Sequence, residues 1–147
     1  MSRLLLLNGP NLNLLGKREP TVYGDEGLTA VESRLKTLAL DLGHDLDCYQ
    51  HNAEHELVSR VQACGSDGTS ALIVNPGAYT HSSIALRDAL LGIGRPFVEV
   101  HLSNVYAREG FRHRSFFSDV AEGTIVGLGV IGYELALLAL HRRLADN

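Results

Sequence analysis

Amides, hydroxyls, imidazoles and a carboxylate follow three apolar runs of this chain. Asn8, Gly9, Pro10, Asn11 and Asn13 come after the first run; Asn75, Gly77, Tyr79, Thr80 and His81 follow another; Glu99, His101, Ser103 and Asn104 close a third. Imidazoles and carboxylates move protons, and amides and hydroxyls orient a small ligand. Singly, such residues are often turn formers or helix caps. Gathered behind three runs, they form a candidate site if those runs end side by side.

A second chemical group lies between the first run and the first helical stretch. Residues 8–27 are too many for a plain strand-to-helix connection and show no periodicity. Arg18 and Tyr23 stand there beside Gly16, Pro20 and Gly24, which suit hinges and a stiffener. The expectation is a lid at about residues 14–27 that carries a cation and a phenol into a water-poor site.

Two other patterns carry less. Gly127-Leu128-Gly129-Val130-Ile131-Gly132 has the spacing of a dinucleotide fingerprint, but the chain ends within the next helix. The further strand and acidic residue that the fingerprint needs are not found after it, so nucleotide binding is not expected. Those glycines are expected to let the last helix approach the sheet. His51 and His55 are four apart, but a helix capped by Asn52 would leave His51 outside it, so no metal site is expected.

The elements that must position these residues follow from periodicity. Residues 4–7, 45–49, 71–74, 97–101 and 123–126 read as strands. Between them, Leu28, Val31, Leu35, Leu38 and Leu42 recur at helical spacing, with Thr29 and Glu32 as a capping box and Gly43 as a stop. Further helices are expected from Asn52 to about residue 63, from Ser82 or Ser83 through 91, and over about 131–144. Strands alternating with helices imply an α/β fold with a parallel sheet covered on both faces. Right-handed crossovers favour a flavodoxin-like three-layer sandwich, strand order 2-1-3-4-5, in which ligands bind beyond the carboxyl ends of the strands. No linker or repeat divides residues 1–147, so one catalytic domain is expected. The last helix carries Leu135, Leu137, Leu138, Leu140 and Leu144, wider than one stripe, which implies self-association.

Composition narrows the classes. A formal charge of −4 with no basic run argues against nucleic acid and acidic membrane as partners. Cys48 and Cys64 suit reduced thiols, and the N-terminal apolar run is too short for a signal peptide or a span, so the cytoplasm is expected.

Over essentially its whole length the chain resembles the type II 3-dehydroquinate dehydratase family. The resemblance rests on separated blocks in order: residues 8–16, Arg18-Glu19-Pro20 with Tyr23-Gly24, residues 75–83, 85–89 and 99–104, Ala107-Arg108-Glu109 and Phe111-Arg112-His113. It implies anti elimination of water from 3-dehydroquinate through an enolate, without metal, Schiff base or other cofactor, in dodecamers built from trimers. Tyr23 matches the base beside the ketone, Arg18 the lid arginine and Asn11 the amide that steadies the enolate oxygen with a water. His101 matches the acid for the departing hydroxyl, oriented by Glu99. Asn75, His81 and Arg112 match substrate-hydroxyl contacts, and Leu102 and Ser103 the carboxylate site, largely through backbone N–H groups. Asp88 matches an aspartate that reaches a neighbouring subunit's site. His51, His55 and Leu102 depart from common family residues without touching the implied chemistry.

Those residue types suit the reaction. A free tyrosine has a pKa of about 10, and a nearby cation can lower such a value by roughly 1–3. Arginine stays charged when desolvated. Extended chain at about 3.3 Å per residue would hold Arg18 and Tyr23 over ~15 Å apart, so the lid must fold back. A different class, a flavin or phosphoryl-signal module on the same fold, would need a Ser/Thr/Gly phosphate loop or an acidic cluster where this chain has asparagines.

Overall fold

The computed structural model describes residues 1–17 and 26–146. The first strand, β1 (Ser2–Asn8), sits inside a five-stranded sheet, which explains its unbroken leucine run. Alternate side chains of a strand point to opposite faces. Leu4 and Leu6 pack with α1 (Leu28–Asp41) and α4 (Ile131–Ala145), through Val31, Leu35, Ala136 and Leu137. Leu5 and Leu7 face α2 (Glu54–Ala63) and α3 (Ile84–Ile93), through Leu57, Val61, Leu86 and Leu90. Each fully buried leucine contributes about 1.5–3 kcal/mol, so this strand anchors both cores.

The other strands repeat the pattern. In β3 (Thr69–Asn75), Ala71 and Ile73 join the first core while Leu72 and Val74 join the second. In β4 (Phe97–His101), Val98 and Val100 are set against Phe97 in the same way. With β2 (His44–Gln50) and β5 (Gly123–Val126) the sheet is wholly parallel, in the order β2-β1-β3-β4-β5. This is the flavodoxin-like sandwich expected from the alternation of strands and helices.

Ser83 caps α3, its hydroxyl accepting from Leu86 N at 3.0 Å, and Gly94 closes that helix in the left-handed region at φ 65°. Two expected caps are not used. Gly27, in extended conformation, precedes α1, so Thr29 lies inside the first turn and the capping box does not form. Ala53 precedes α2, and the Asn52 amide turns away to hydrogen-bond across the sheet edge. At the start of α4, a Cβ on Gly132 would lie 3.3 Å from Val100 Cγ1 and 3.4 Å from Ile125 Cγ2. That glycine seats the helix on the sheet, the role expected for this segment.

The outward face of α4 leaves Ile131, Leu135 and Leu138 exposed, while Leu137 and Leu140 are buried. The helix is therefore apolar on two sides, as its leucines suggested. Both cysteines are free, and burial pushes the Cys48 thiol up to about 12. Among the described residues, no helix is long and apolar enough to cross a membrane.

Candidate active site

The carboxyl ends of β1, β3 and β4 stand side by side: Asn8 is the register partner of Asn75, and Glu99 that of Val74. Beyond them lies a cavity of about 240 Å³. Asn11, Asn75, His81, His101, Leu102, Ser103 and Arg112 all line it. The structure thus brings these expected site residues together from separate parts of the chain. Arg18, Tyr23 and most of the expected lid fall outside the described residues.

The loops that form the cavity are interlocked. A Cβ on Gly9 would lie 2.1 Å from the Pro76 carbonyl oxygen, so only glycine allows the chain after β1 to press against the chain after β3. Asn11 then takes a left-handed conformation, φ 69°, which asparagine tolerates better than most residues. Its backbone N–H donates to Asn52 Oδ1 at 3.0 Å. Gln50 Nε2 donates to the same oxygen at 3.2 Å and to the Gly9 carbonyl at 3.0 Å. Tyr79 fixes Asn52 in turn, its hydroxyl donating to the Asn52 carbonyl at 2.6 Å. The end of β2 thereby holds Asn11 in place. Gln50 and Asn52 were not expected here, since their partners are distant in sequence.

At the floor, Glu99 and His101 project to the same side of β4, two residues apart. His101 Nε2 lies 2.6 Å from Glu99 Oε2. Glu99 is fully buried and His101 nearly so. The same carboxylate accepts from Thr80 Oγ1 at 2.9 Å, Ser115 Oγ at 2.7 Å and Ser118 Oγ at 2.6 Å. Burial alone would push this carboxyl up, but the bonds from His101, Ser118 and Ser115, with the charge of His101, hold it below the usual range. An ionised Glu99 can only accept, so it fixes a proton on Nε2 of His101. The ring nitrogen left for a ligand is Nδ1. Ser115 and Ser118 were likewise missed, being small hydroxyls unremarkable by type, while Thr80 was named among the residues after its strand but given no role.

The walls carry positive and neutral polar groups. His81 Nδ1 donates to the Arg114 carbonyl at 2.7 Å, which leaves Nε2 for the cavity. Arg112 is steadied by Glu109 at 2.8 Å, and Arg108, which also lines the cavity, donates to Ser103 Oγ at 3.2 Å. Among the described lining residues none is acidic, so the two guanidiniums favour an anionic ligand. Arg108 belongs to one of the blocks that carry the resemblance, with no role implied for it there.

Asn75 is held from two sides. Its Oδ1 accepts from Gly77 N at 3.1 Å, and its Nδ2 donates to the Tyr133 hydroxyl at 2.9 Å. Tyr133, fully buried at the start of α4, donates to Asn8 Oδ1 at 2.6 Å. Asp88 lies elsewhere, exposed in a groove between α2 and α3 beside Val58 and Gln62. His51 Nδ1 accepts from Ala53 N at 2.9 Å, and no cluster of three or more metal-binding side chains occurs among the described residues.

A family model described as Dehydroquinase class II matches residues 2–141. The chain is 56% identical over 144 residues to a 3-dehydroquinate dehydratase of Marinobacter nauticus, covering 98% of this chain and 99% of that one. It is 58% identical over 142 residues to another from Thioalkalivibrio sulfidiphilus, covering 96% and 97%. Among solved structures, a type II dehydroquinase from Propionibacterium acnes superposes with a TM-score of 0.92 at 42% identity, covering 97% of each chain. A 3-dehydroquinate dehydratase-like protein from Bifidobacterium longum gives a TM-score of 0.72 at 29% identity, covering 99% of each.

Proposed function

The chain belongs to the class II dehydroquinase family, and from that premise we propose how its cavity performs the family's reaction. It is a hydro-lyase of the shikimate pathway that dehydrates 3-dehydroquinate to 3-dehydroshikimate. The observation that carries the mechanistic reading is the buried Glu99–His101 pair at the cavity floor, 2.6 Å apart. An imidazolium whose Nε2–H is committed to a carboxylate has one proton to give, from Nδ1. It acts as the acid for the departing hydroxyl.

The elimination is anti and runs through an enolate. Tyr23 removes the proton beside the ketone, and Arg18 favours its phenolate form. Asn11, held by Asn52, steadies the enolate oxygen together with a water, a preorganised donor of the kind that usually contributes most. Asn75, His81 and Arg112 hold substrate hydroxyls. The backbone N–H groups of Leu102 and Ser103 take the carboxylate, which also suits the positive walls. Neither metal nor other cofactor takes part. Asp88, remote from its own cavity, reaches a neighbouring subunit's site in a dodecamer of trimers. The exposed apolar face of α4 supports that assembly, which works in the cytoplasm.

The test is direct. Protein mixed with 3-dehydroquinate should raise the absorbance of the conjugated enone, unaffected by chelator. Tyr23→Phe and Arg18→Ala should each nearly abolish that signal while leaving the melting curve unchanged. A flat trace from the parent protein overturns the reading.

A further inference from the structure

We propose that Tyr133 is a positioning residue for the dehydration: its buried hydroxyl fixes the Asn75 amide so that one Nδ2 hydrogen faces the substrate. The inference rests on the function proposed above and extends it to a residue outside the cavity. It follows from counting donors and acceptors, starting from the one group whose role cannot change.

That group is the backbone N–H of Gly77. It can only donate, and it lies 3.1 Å from the Asn75 side chain, so the atom facing it must be the amide oxygen. The nitrogen Nδ2 therefore turns to Tyr133, 2.9 Å away. A phenol has a single proton. With Asn75 donating to it, Tyr133 must spend that proton on its other neighbour, the Asn8 side chain at 2.6 Å. The atom of Asn8 that faces it must then be Oδ1, which leaves Asn8 Nδ2 as a buried donor without a protein partner. Burial pushes the Tyr133 hydroxyl above its usual range, so it stays protonated and the relay keeps its direction. The orientation thus runs from Gly77 through Asn75 and Tyr133 to Asn8, across three elements, with no alternative that avoids facing donors.

The consequence falls on Asn75. One Nδ2 hydrogen is used by Tyr133, and the second remains for the cavity that Asn75 lines. Without the phenol oxygen the amide loses the contact that holds its nitrogen in place. Substrate then has to organise the donor on binding, at the expense of affinity.

Steady-state kinetics on Tyr133→Phe, Asn75→Ala and the double variant test this. Tyr133→Phe keeps the ring and removes only the hydroxyl. We expect KM to rise about tenfold, the scale of one lost or misplaced hydrogen bond, with kcat within about twofold of the parent. In the Asn75→Ala background the added Tyr133→Phe effect should vanish, because the phenol acts through that amide. A merely structural role would lower the active fraction, moving kcat with KM unchanged, and would persist in the double variant. Either result overturns the inference. Asn8→Ala provides a second probe should Tyr133→Phe fold poorly. It frees the phenol proton to turn on Asn75, so KM should rise severalfold, again only while Asn75 is present. Turnover by the parent protein keeps this test separate from the dehydratase reading. A parent without turnover overturns that reading, and the inference with it.

Discussion

Replacing Glu99 by glutamine probes the acid half of the reaction with little change of shape. The side chain accepts four bonds, three at Oε2 from Thr80, Ser115 and His101 and one at Oε1 from Ser118. A glutamine can place its oxygen toward the first group and its nitrogen toward Ser118, whose hydroxyl can rotate to accept. The packing and bond count survive; the charge does not. A hydrogen bond to a charged group contributes ~1.5–3 kcal/mol against about 1 for a neutral one. The bond to His101 should therefore weaken most when the ring is an imidazolium. A loss of ~0.5–2 kcal/mol at that step is about a 2- to 30-fold fall in dehydration rate.

Two measurements distinguish this from general damage. Solvent exchange of the proton beside the ketone, followed by NMR, should continue near the parent rate, since the proposed mechanism gives that step to Tyr23 and not to His101. Enone formation should fall. The stability profile gives a second readout. Because the folded protein holds the Glu99 carboxyl below its usual range, its contribution is complete above the ordinary glutamate pKa of about 4.3. It is lost as pH drops through the depressed value. The Glu99→Gln variant should lack that part of the acid limb, so its melting temperature should fall less steeply with acid. Parent-like dehydration, or exchange falling in step with dehydration, would refute the acid role assigned to this pair.

Three further outcomes follow from the geometry. Gly9→Ala places a Cβ 2.1 Å from a backbone oxygen, so thermal unfolding should show destabilisation of more than ~3 kcal/mol, and a melt within a degree of the parent would contradict the interlocked loops. Asn52→Ala removes the acceptor for Asn11 N–H without touching the cavity lining; kcat should fall about tenfold with KM little changed, as expected for a group that acts on the enolate, and an unaltered kcat would release Asn11 from that dependence. Leu138→Glu puts a charge on the exposed apolar face of α4; light scattering should report smaller assemblies than the parent, and an unchanged mass would remove that face from the interface.

What was legible in the sequence was whatever depends on neighbours in the chain. Residues 97–101 and 123–126 match β4 and β5 end to end because Pro96 precedes one and a glycine opens the other. The strand order followed from alternation and handedness alone. Glu99 and His101 share a face because strands repeat every two residues. The caps failed where a local pattern met a stronger distant partner. The Asn52 amide, suited to a helix start, is instead taken by a backbone N–H 41 residues away. Tyr133 was invisible for the same reason: its partner Asn8 lies 125 residues off, and a lone tyrosine in an apolar helix reads as core. Arg18 and Tyr23 stood out in the long loop as a cation and a phenol, took their roles from the resemblance, and lie outside the described residues.

The distant partners share one physical purpose. A cavity built from amides and imidazoles has side chains with two nearly equivalent orientations, only one of which presents the right atom. Here two of them, His101 and Asn75, are decided from beneath by a group that cannot change its role. Ionised Glu99 accepts only, which commits one His101 nitrogen and exposes the other; the Gly77 N–H donates only, which commits the Asn75 oxygen and then the whole relay to Asn8. The same relay leaves the Asn8 nitrogen without a protein partner. A donor aimed beforehand does not have to be organised by the substrate when it binds. The direction of the relay is thus explained by the chemistry above it, not by the packing around it.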